Sequence, residues 1–268
     1  MNRQEHNPRA ARNQRSQIYR FTAVTLKHME LGETDRIVTV FTEEYGKHGL
    51  LARGIRRPGN RNAGAMEPFN VIRGTAVRGR TLNIMTQVET VKSFRELRHS
   101  EPLIATAGLF ADLVDSLTLE EQPQKEIFDL LVASLDLLAE GESPARITLI
   151  FEYGLLRELG YRPELHTCLR CGAELEAVEN GFDFQEGGVV CANCRRITGA
   201  EVVSVSALKL LRLLDDGAVR RVLSLSMSPE VILEVDSLLD GYIRSISGQE
   251  SSARRVIREL GLEFDAKT

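Results

Sequence analysis

Tryptophan is absent from the 268 residues, lysine occurs six times, and aromatic residues make up 6% of the chain. No stretch approaches the roughly 18 to 20 apolar residues that cross a bilayer, so no membrane association is expected. Met1 to Gln17 is rich in Asn, Gln and Arg and has no apolar core segment, which argues against a secretory signal. The four cysteines form two close pairs, too few for a disulfide framework, and the expected compartment is the cytoplasm. Motifs of chemistry are missing as well. HExxH, a P-loop, GxGxxG and the His/Glu plus PCxxC set of base deaminases do not occur. The five histidines (6, 28, 48, 99 and 166) are scattered, and no nucleophile motif surrounds any serine. The chain reads as a non-enzyme.

What the sequence does contain is arginine, 28 residues of it, distributed unevenly. Residues 1–100 hold 18 Lys and Arg against 9 Asp and Glu, a balance of +9, and residues 101–268 hold 16 against 29, a balance of −13. The formal net charge of −4 thus hides a basic front and an acidic back. A basic segment attracts polyanions, and a guanidinium pairs with phosphate oxygens in a way that an ammonium does not. Charge alone leaves open whether this is a binding face or a solvated one.

The hydrophobic period also changes along the chain. From residue 18, five short β-branched or aromatic runs (19–26, 36–42, 49–55, 71–77 and 82–91) alternate with Gly-, Asn- and Pro-bearing turns. Five strands without an intervening helix predict a small closed barrel, with the OB-fold as the five-stranded type that binds nucleic acid. After Ser100 the spacing becomes helical. Helices are predicted over 102–119, 124–138, from Ser143-Pro144 to about Gly160, over 204–215, and from Ser228-Pro229, where Val231, Val235, Leu238, Leu239, Tyr242, Ile243 and Ile246 form one stripe. The class is α+β. Its expected parts are a disordered extension (1–17), a barrel (18–95), a helical domain (96–165 and 200–247), a cysteine insert (166–199) and an exposed tail (248–268) carrying an apolar cluster from Leu260 to Phe264.

Within the insert, Cys168-Leu-Arg-Cys171 and Cys191-Ala-Asn-Cys194 are CxxC pairs 19 residues apart. Two such pairs supply four thiolates to one tetrahedral Zn2+ and leave no open position, so a structural zinc is expected, with an iron–sulfur cluster or a redox pair as alternatives. The runs Phe182–Phe184 and Gly187–Val190 read as a short ribbon closed by the metal. His166 reads as a surface residue rather than a ligand.

Between the third and fourth strand segments, Arg53, Arg56, Arg57 and Arg61 lie in a Gly- and Pro-bearing loop, followed by Arg73, Arg78 and Arg80. Residues 53–80 hold these seven arginines and one acid, Glu67. Such an array suits a phosphate-tracking groove. Stacking partners are sparse; Phe21, Phe41, Tyr45 and Phe69 are the candidates, each better explained as core.

Several of these segments carry a resemblance. The run LGETDRIVTVFT (31–42), Tyr45-Gly46-Lys47, ARGIRR (52–57), LNIMTQ (82–87) and LLRELGYRP (155–163) before the first cysteine pair together resemble the RecO family of DNA repair and recombination proteins, over Ile18 to about Leu239. The resemblance implies a non-enzymatic recombination mediator that binds single- and double-stranded DNA, anneals complementary strands, and acts with RecR, and often RecF, to load RecA onto DNA coated by single-strand-binding protein, whose acidic tail it contacts. It implies zinc ligation by Cys168, Cys171, Cys191 and Cys194, DNA binding by Arg53, Arg56 and Arg57, and a nucleoid-associated location. Arg61, Arg73, Arg78 and Arg80 join the DNA-binding set by charge and position. An RNA-binding OB and zinc-ribbon protein, or an adaptor whose arginine face meets an acidic protein, are the competing readings.

Overall fold

The computed structural model describes residues 18–260. The extension 1–17 and residues 261–268, which include most of the Leu260–Phe264 cluster, lie outside the described residues. The chain divides into two compact units. One holds the barrel together with residues 120–123, and the other holds the helices and the cysteine insert.

The barrel consists of β1 (Ile18–Leu31), β2 (Asp35–Thr42), β3 (Gly46–Ala52), β4 (Val71–Val77) and β5 (Asn83–Lys92). Its strand order is 1-2-3-5-4, closing back on β1. This is the five-stranded OB-like barrel that the strand pattern predicts. β1 is long because it serves two neighbours. Residues 18–24 pair with β4 and residues 23–31 with β2, with a register shift between Thr25 and Lys27 that bends the strand around the barrel. The alternation is cleanest in β3, where Gly46, His48, Leu50 and Ala52 face inward. The interior is filled by Phe21, Ala23, Val38, Val40, Leu50, Ala52, Ile72 and Ala76. Residues 120–123 add one more layer. The N–H of Glu121 donates to the Lys47 carbonyl at 2.9 Å, and the chain passes so close to Gly46 that a Cβ there would lie 1.9 Å from the Gln122 carbonyl oxygen. Gly46 also has φ +69°, so both the space and the backbone require glycine.

The second unit contains α1 (Glu101–Leu117), α2 (Lys125–Ala139), α3 (Pro144–Glu158), β6 (Asn180–Asp183), β7 (Gly188–Val190), α4 (Ala192–Thr198), β8 (Glu201–Val203), α5 (Val205–Asp215), α6 (Val219–Ser224), α7 (Pro229–Ser247) and α8 (Ser252–Glu259). α3 is its central helix: Ile147 through Leu156 are buried without interruption, and Phe151 stacks on Phe110 of α1 at 4.2 Å. A helix apolar on every side belongs in the middle of a bundle. Ser143 and Ser228 occupy N-cap positions before Pro, but neither side chain bonds the helix backbone; Ser204 and Ser251 make that bond instead.

The expected exposed tail is partly wrong. Residues 252–259 form α8, and Arg254 is 6% exposed. Its guanidinium meets Glu152 of α3 at 2.6 Å and both carboxylate oxygens of Asp236 on α7 at 2.8 and 2.9 Å, while Ser251 and Ser252 donate to Asp112 of α1. Those acids come from three helices more distant in sequence than any local pattern reports, which is why a run of serines and arginines looked solvated. Among the described residues, no helix is long and apolar enough to cross a membrane.

Candidate nucleic-acid interface and metal centre

Loop geometry around the barrel begins with Asp35. Its carboxylate accepts the Gly54 N–H at 2.7 Å and the Thr34 hydroxyl at 3.0 Å. These two bonds, the Gly54 N–H first, hold the carboxyl below its ordinary range. The Arg56 N–H donates to the Thr34 carbonyl, the Arg57 N–H to Gly54, and the Asn60 amide returns to the Gly54 carbonyl at 2.8 Å. From inside, Ile55, Ala65 and Met66 are drawn into the barrel core. A loop anchored by one buried isoleucine and closed by its own backbone bonds turns Arg53, Arg56, Arg57 and Arg61 outward, and all four are exposed.

The barrel register sets where the other arginines stand. Leu50 and Leu51 at the end of β3 lie opposite Asn83 and Ile84 at the start of β5, and Ala52 lies opposite Arg36 at the start of β2. β3 and β5 run parallel, so the β4–β5 turn bearing Arg78 and Arg80, which precedes Asn83, lies toward His48 and the β2–β3 turn, and the structure does not bring it to the loop that follows β3. Leu82 of that turn lies beside Gly49 in the middle of β3, and Arg78 reaches the Tyr19 ring, which adjoins Tyr45. Arg73 is set apart. It stands in the middle of β4, opposite Thr22 and Glu89, and pairs with Glu89 at 3.6 Å.

Pairing divides the set further. Arg56 meets Glu30 at 3.0 Å, and Arg36, a residue that sequence reasoning passed over, meets Glu67 at 3.2 Å and Glu30 at 4.0 Å. Among the described residues, Arg53, Arg57, Arg61 and Arg80 form no ion pair. Three of the four stacking candidates, Phe21, Phe41 and Phe69, are buried at 8% exposure or less and belong to the core. Tyr45 is half-buried and lies beside Tyr19. Nothing in the residue pattern of β1 distinguishes Tyr19 from a packing residue.

The four cysteines come together. Their sulfurs all lie within 4.8 Å of one another, and those of Cys171 and Cys191 are 3.9 Å apart. A tetrahedral ion with Zn–S bonds of about 2.3 Å needs sulfurs roughly 3.8 Å apart, so this donor set fits one. The first pair is shaped by a knuckle in which the Gly172 N–H donates to the Cys168 carbonyl and the Cys168 N–H to Ala173. Cys191 caps α4, and its N–H donates to the Cys168 sulfur at 3.2 Å. Burial disfavours the Cys168 thiolate, yet the N–H groups of Cys191, Cys171 and Arg170 outweigh it and lower the thiol to about 6. Its neighbour Cys194 is pushed up to about 12, first by its hydrogen bond to Cys191. Thiols this crowded resist ionising together unless a cation compensates them. His166 lies outside the cluster; it is exposed, and its N–H donates to the Glu164 carboxylate.

The expected ribbon is present as β6 paired with β7, and β8 joins the other edge of β6. It does not rely on metal alone. Phe182, Val189, Val190 and Val203 are buried, and Phe182 meets Tyr242 of α7 at 5.5 Å between ring centroids. A Cβ on Gly241 would lie 2.8 Å from the Phe184 ring. The ribbon shares the core of the helical unit.

A closed OB-like barrel with an outward arginine loop, joined to a helical unit carrying a four-cysteine centre, defines a two-part protein of the OB-barrel class. Comparison with known proteins agrees with this description. The family description "Recombination protein O N terminal" matches residues 16–94, and "Recombination protein O C terminal" matches residues 102–251. The chain belongs to the RecO family. It is 37% identical to "DNA repair protein RecO" of Symbiobacterium thermophilum over 84% of this chain and 91% of that protein. It is 35% identical to proteins of the same name from Anaeromyxobacter sp. strain K, over 90% of this chain and 96% of that one, and from Roseiflexus sp. strain RS-1, over 87% and 82%.

Proposed function

We propose that the chain acts in DNA repair as a recombination mediator whose barrel grips the sugar-phosphate backbone through Arg53, Arg56, Arg57, Arg61, Arg78 and Arg80. The observation that carries this reading is the outward arginine loop, fixed in shape by Asp35 and Asn60 and left largely without acids of its own. Neutralising phosphates lowers the repulsion between two strands held side by side, so base pairing can complete their annealing. Arg73 contributes least, because Glu89 already meets its charge.

In the same reading the ion at Cys168, Cys171, Cys191 and Cys194 is one structural Zn2+. Four thiolates close the coordination shell, so the ion supplies folding energy to the knuckle and no reaction step. Single- and double-stranded DNA are the polyanions, and RecR, the acidic tail of single-strand-binding protein and, in some pathways, RecF are the protein partners through which RecA is loaded. The protein catalyses nothing and works in the cytoplasm, at the nucleoid.

The test is strand annealing. Complementary oligonucleotides, one coated with single-strand-binding protein from the same source, are mixed with the purified chain and duplex formation is followed by fluorescence. Faster annealing that disappears when Arg53, Arg57 and Arg61 are all replaced by Glu supports the reading. Annealing at the uncatalysed rate, or a preference for RNA over DNA in direct competition, overturns it.

A further inference from the structure

The β4–β5 turn that carries Arg78 and Arg80 borders a cleft of about 120 Å³ at the β2–β3 end of the barrel. Its walls are Tyr19 from β1, Tyr45 from the β2–β3 turn, His48 from β3, Arg78 and Asn83 around the β4–β5 turn, and Glu121 with Pro123 from the segment that returns to the barrel. The two tyrosine rings are 5.1 Å apart, edge to face, and the Arg78 guanidinium lies 5.7 Å from the Tyr19 ring centre. The Tyr19 hydroxyl and His48 Nε2 are 3.2 Å apart. A seam that merely closed the barrel would be apolar and filled. This one is open and lined by two phenols, an imidazole, an amide, a carboxylate and a guanidinium.

Size limits what could enter. A volume near 120 Å³ equals about four waters, well below the ~300 to 1,000 Å³ that houses a drug-sized ligand or cofactor. One flat ring fits; a sugar and phosphates stay outside, where Arg78 and Arg80 stand exposed on the adjoining turn. The polar rim can hydrogen-bond the edge of a base while the tyrosines offer faces to stack on. Burial first keeps the Tyr19 phenol protonated, its pKa raised to about 12, and lowers that of His48, so both stay uncharged near neutral pH. Glu121 reaches the cleft from a left-handed backbone with φ +56°, a conformation that non-glycine residues seldom hold without local cause.

We propose that this cleft receives one unstacked nucleobase, and that it makes the barrel favour single strands over duplex. The proposal rests on the DNA-binding reading above and adds a base contact to it. In a duplex every base is stacked and paired, so only the phosphate contacts remain.

The full chain is titrated, by fluorescence anisotropy, with a short single strand and a duplex of equal length. Tyr45→Leu and Tyr19→Leu should each weaken single-strand binding about 5- to 150-fold, the range set by one lost base stack, while duplex affinity and salt dependence stay at the wild-type level. Tyr19→Phe, which keeps the ring, should bind like the wild type. A second measurement needs no variant: an oligonucleotide abasic at every position is compared with one carrying a single base, and the lone base should raise affinity by a similar factor. Leucine variants that bind single strands normally, or a lone base without effect, overturn the cleft proposal and leave the phosphate reading standing. A wild-type chain that binds neither DNA overturns both.

Discussion

Salt dependence offers a quantitative test of which arginines meet phosphate. Each phosphate contact on a single strand adds about 0.7 to the slope of log affinity against log salt, because each releases condensed counterions. Arg57 and Arg61 are exposed and form no ion pair among the described residues, whereas Arg73 is paired with Glu89 at 3.6 Å. Replacing Arg57 and Arg61 together with Ala should therefore flatten the slope by about 1.4. Between about 50 and about 200 mM salt, the affinity gap between wild type and double variant should shrink about 7-fold. Arg73→Ala should leave the slope unchanged, since the Glu89 carboxylate cancels the local field that would condense phosphate there. Filter binding to a labelled single strand at four salt concentrations measures all three slopes. If Arg73→Ala flattens the slope as much as the double variant does, or if the double variant retains the wild-type slope, then free charge on the loop is not what binds DNA.

Three further outcomes follow from the packing. The chain as purified should hold one equivalent of zinc by atomic absorption, and Cys191→Ser should lose it together with amide-exchange protection over residues 166–199; retained protection would mean that the ribbon core suffices without metal. Glu152 is wholly buried, and burial raises its carboxyl from 4.5 to about 8 against the pull of Arg254, so the folded chain holds a proton that the unfolded chain releases. That stability is complete below about pH 4.5 and declines as pH climbs through about 8, and Glu152→Gln, which imitates the protonated group, should remove the decline in urea midpoints between about pH 6 and about pH 9; a variant with an unchanged pH profile would refute it. Gly46→Ala places a methyl 1.9 Å from the Gln122 carbonyl oxygen at φ +69°, so it should cost more than about 1 kcal/mol in urea unfolding, and a neutral variant would show that residues 120–123 do not press on β3.

Much of this architecture could be read from local spacing. The five strand runs, the three- and four-residue stripe from Val231 to Ile246, and two CxxC pairs each record a composition, a periodicity or a ligand spacing that needs no partner elsewhere to be recognised, although β3 occupies Gly46–Ala52 and not 49–55, because its pairing with β2 sets its ends. The basic loop was visible for the same reason: seven arginines in 28 residues are a local fact. Its shape was not, because Asp35 lies 19 residues from the Gly54 N–H that it holds.

Other features depend on pairings that only the folded chain creates. Arg254 looked solvated in its run of serines and arginines, and it became a buried centre because Glu152, 102 positions earlier, lies on the helix against which α8 packs. Arg56 and Arg73 looked like Arg57 and Arg61 until Glu30 and Glu89 were found beside them. Tyr19 and Tyr45 are 26 residues apart and line one cleft because barrel closure brings the start of β1 to the β2–β3 turn. Composition and period determine which elements form and which charges they carry, since both act over a few residues. Which charges remain free, and which rings share a cleft, is decided by contacts across the chain, where the energy of an ion pair or a stack depends on separation and surroundings in space rather than on separation along the sequence.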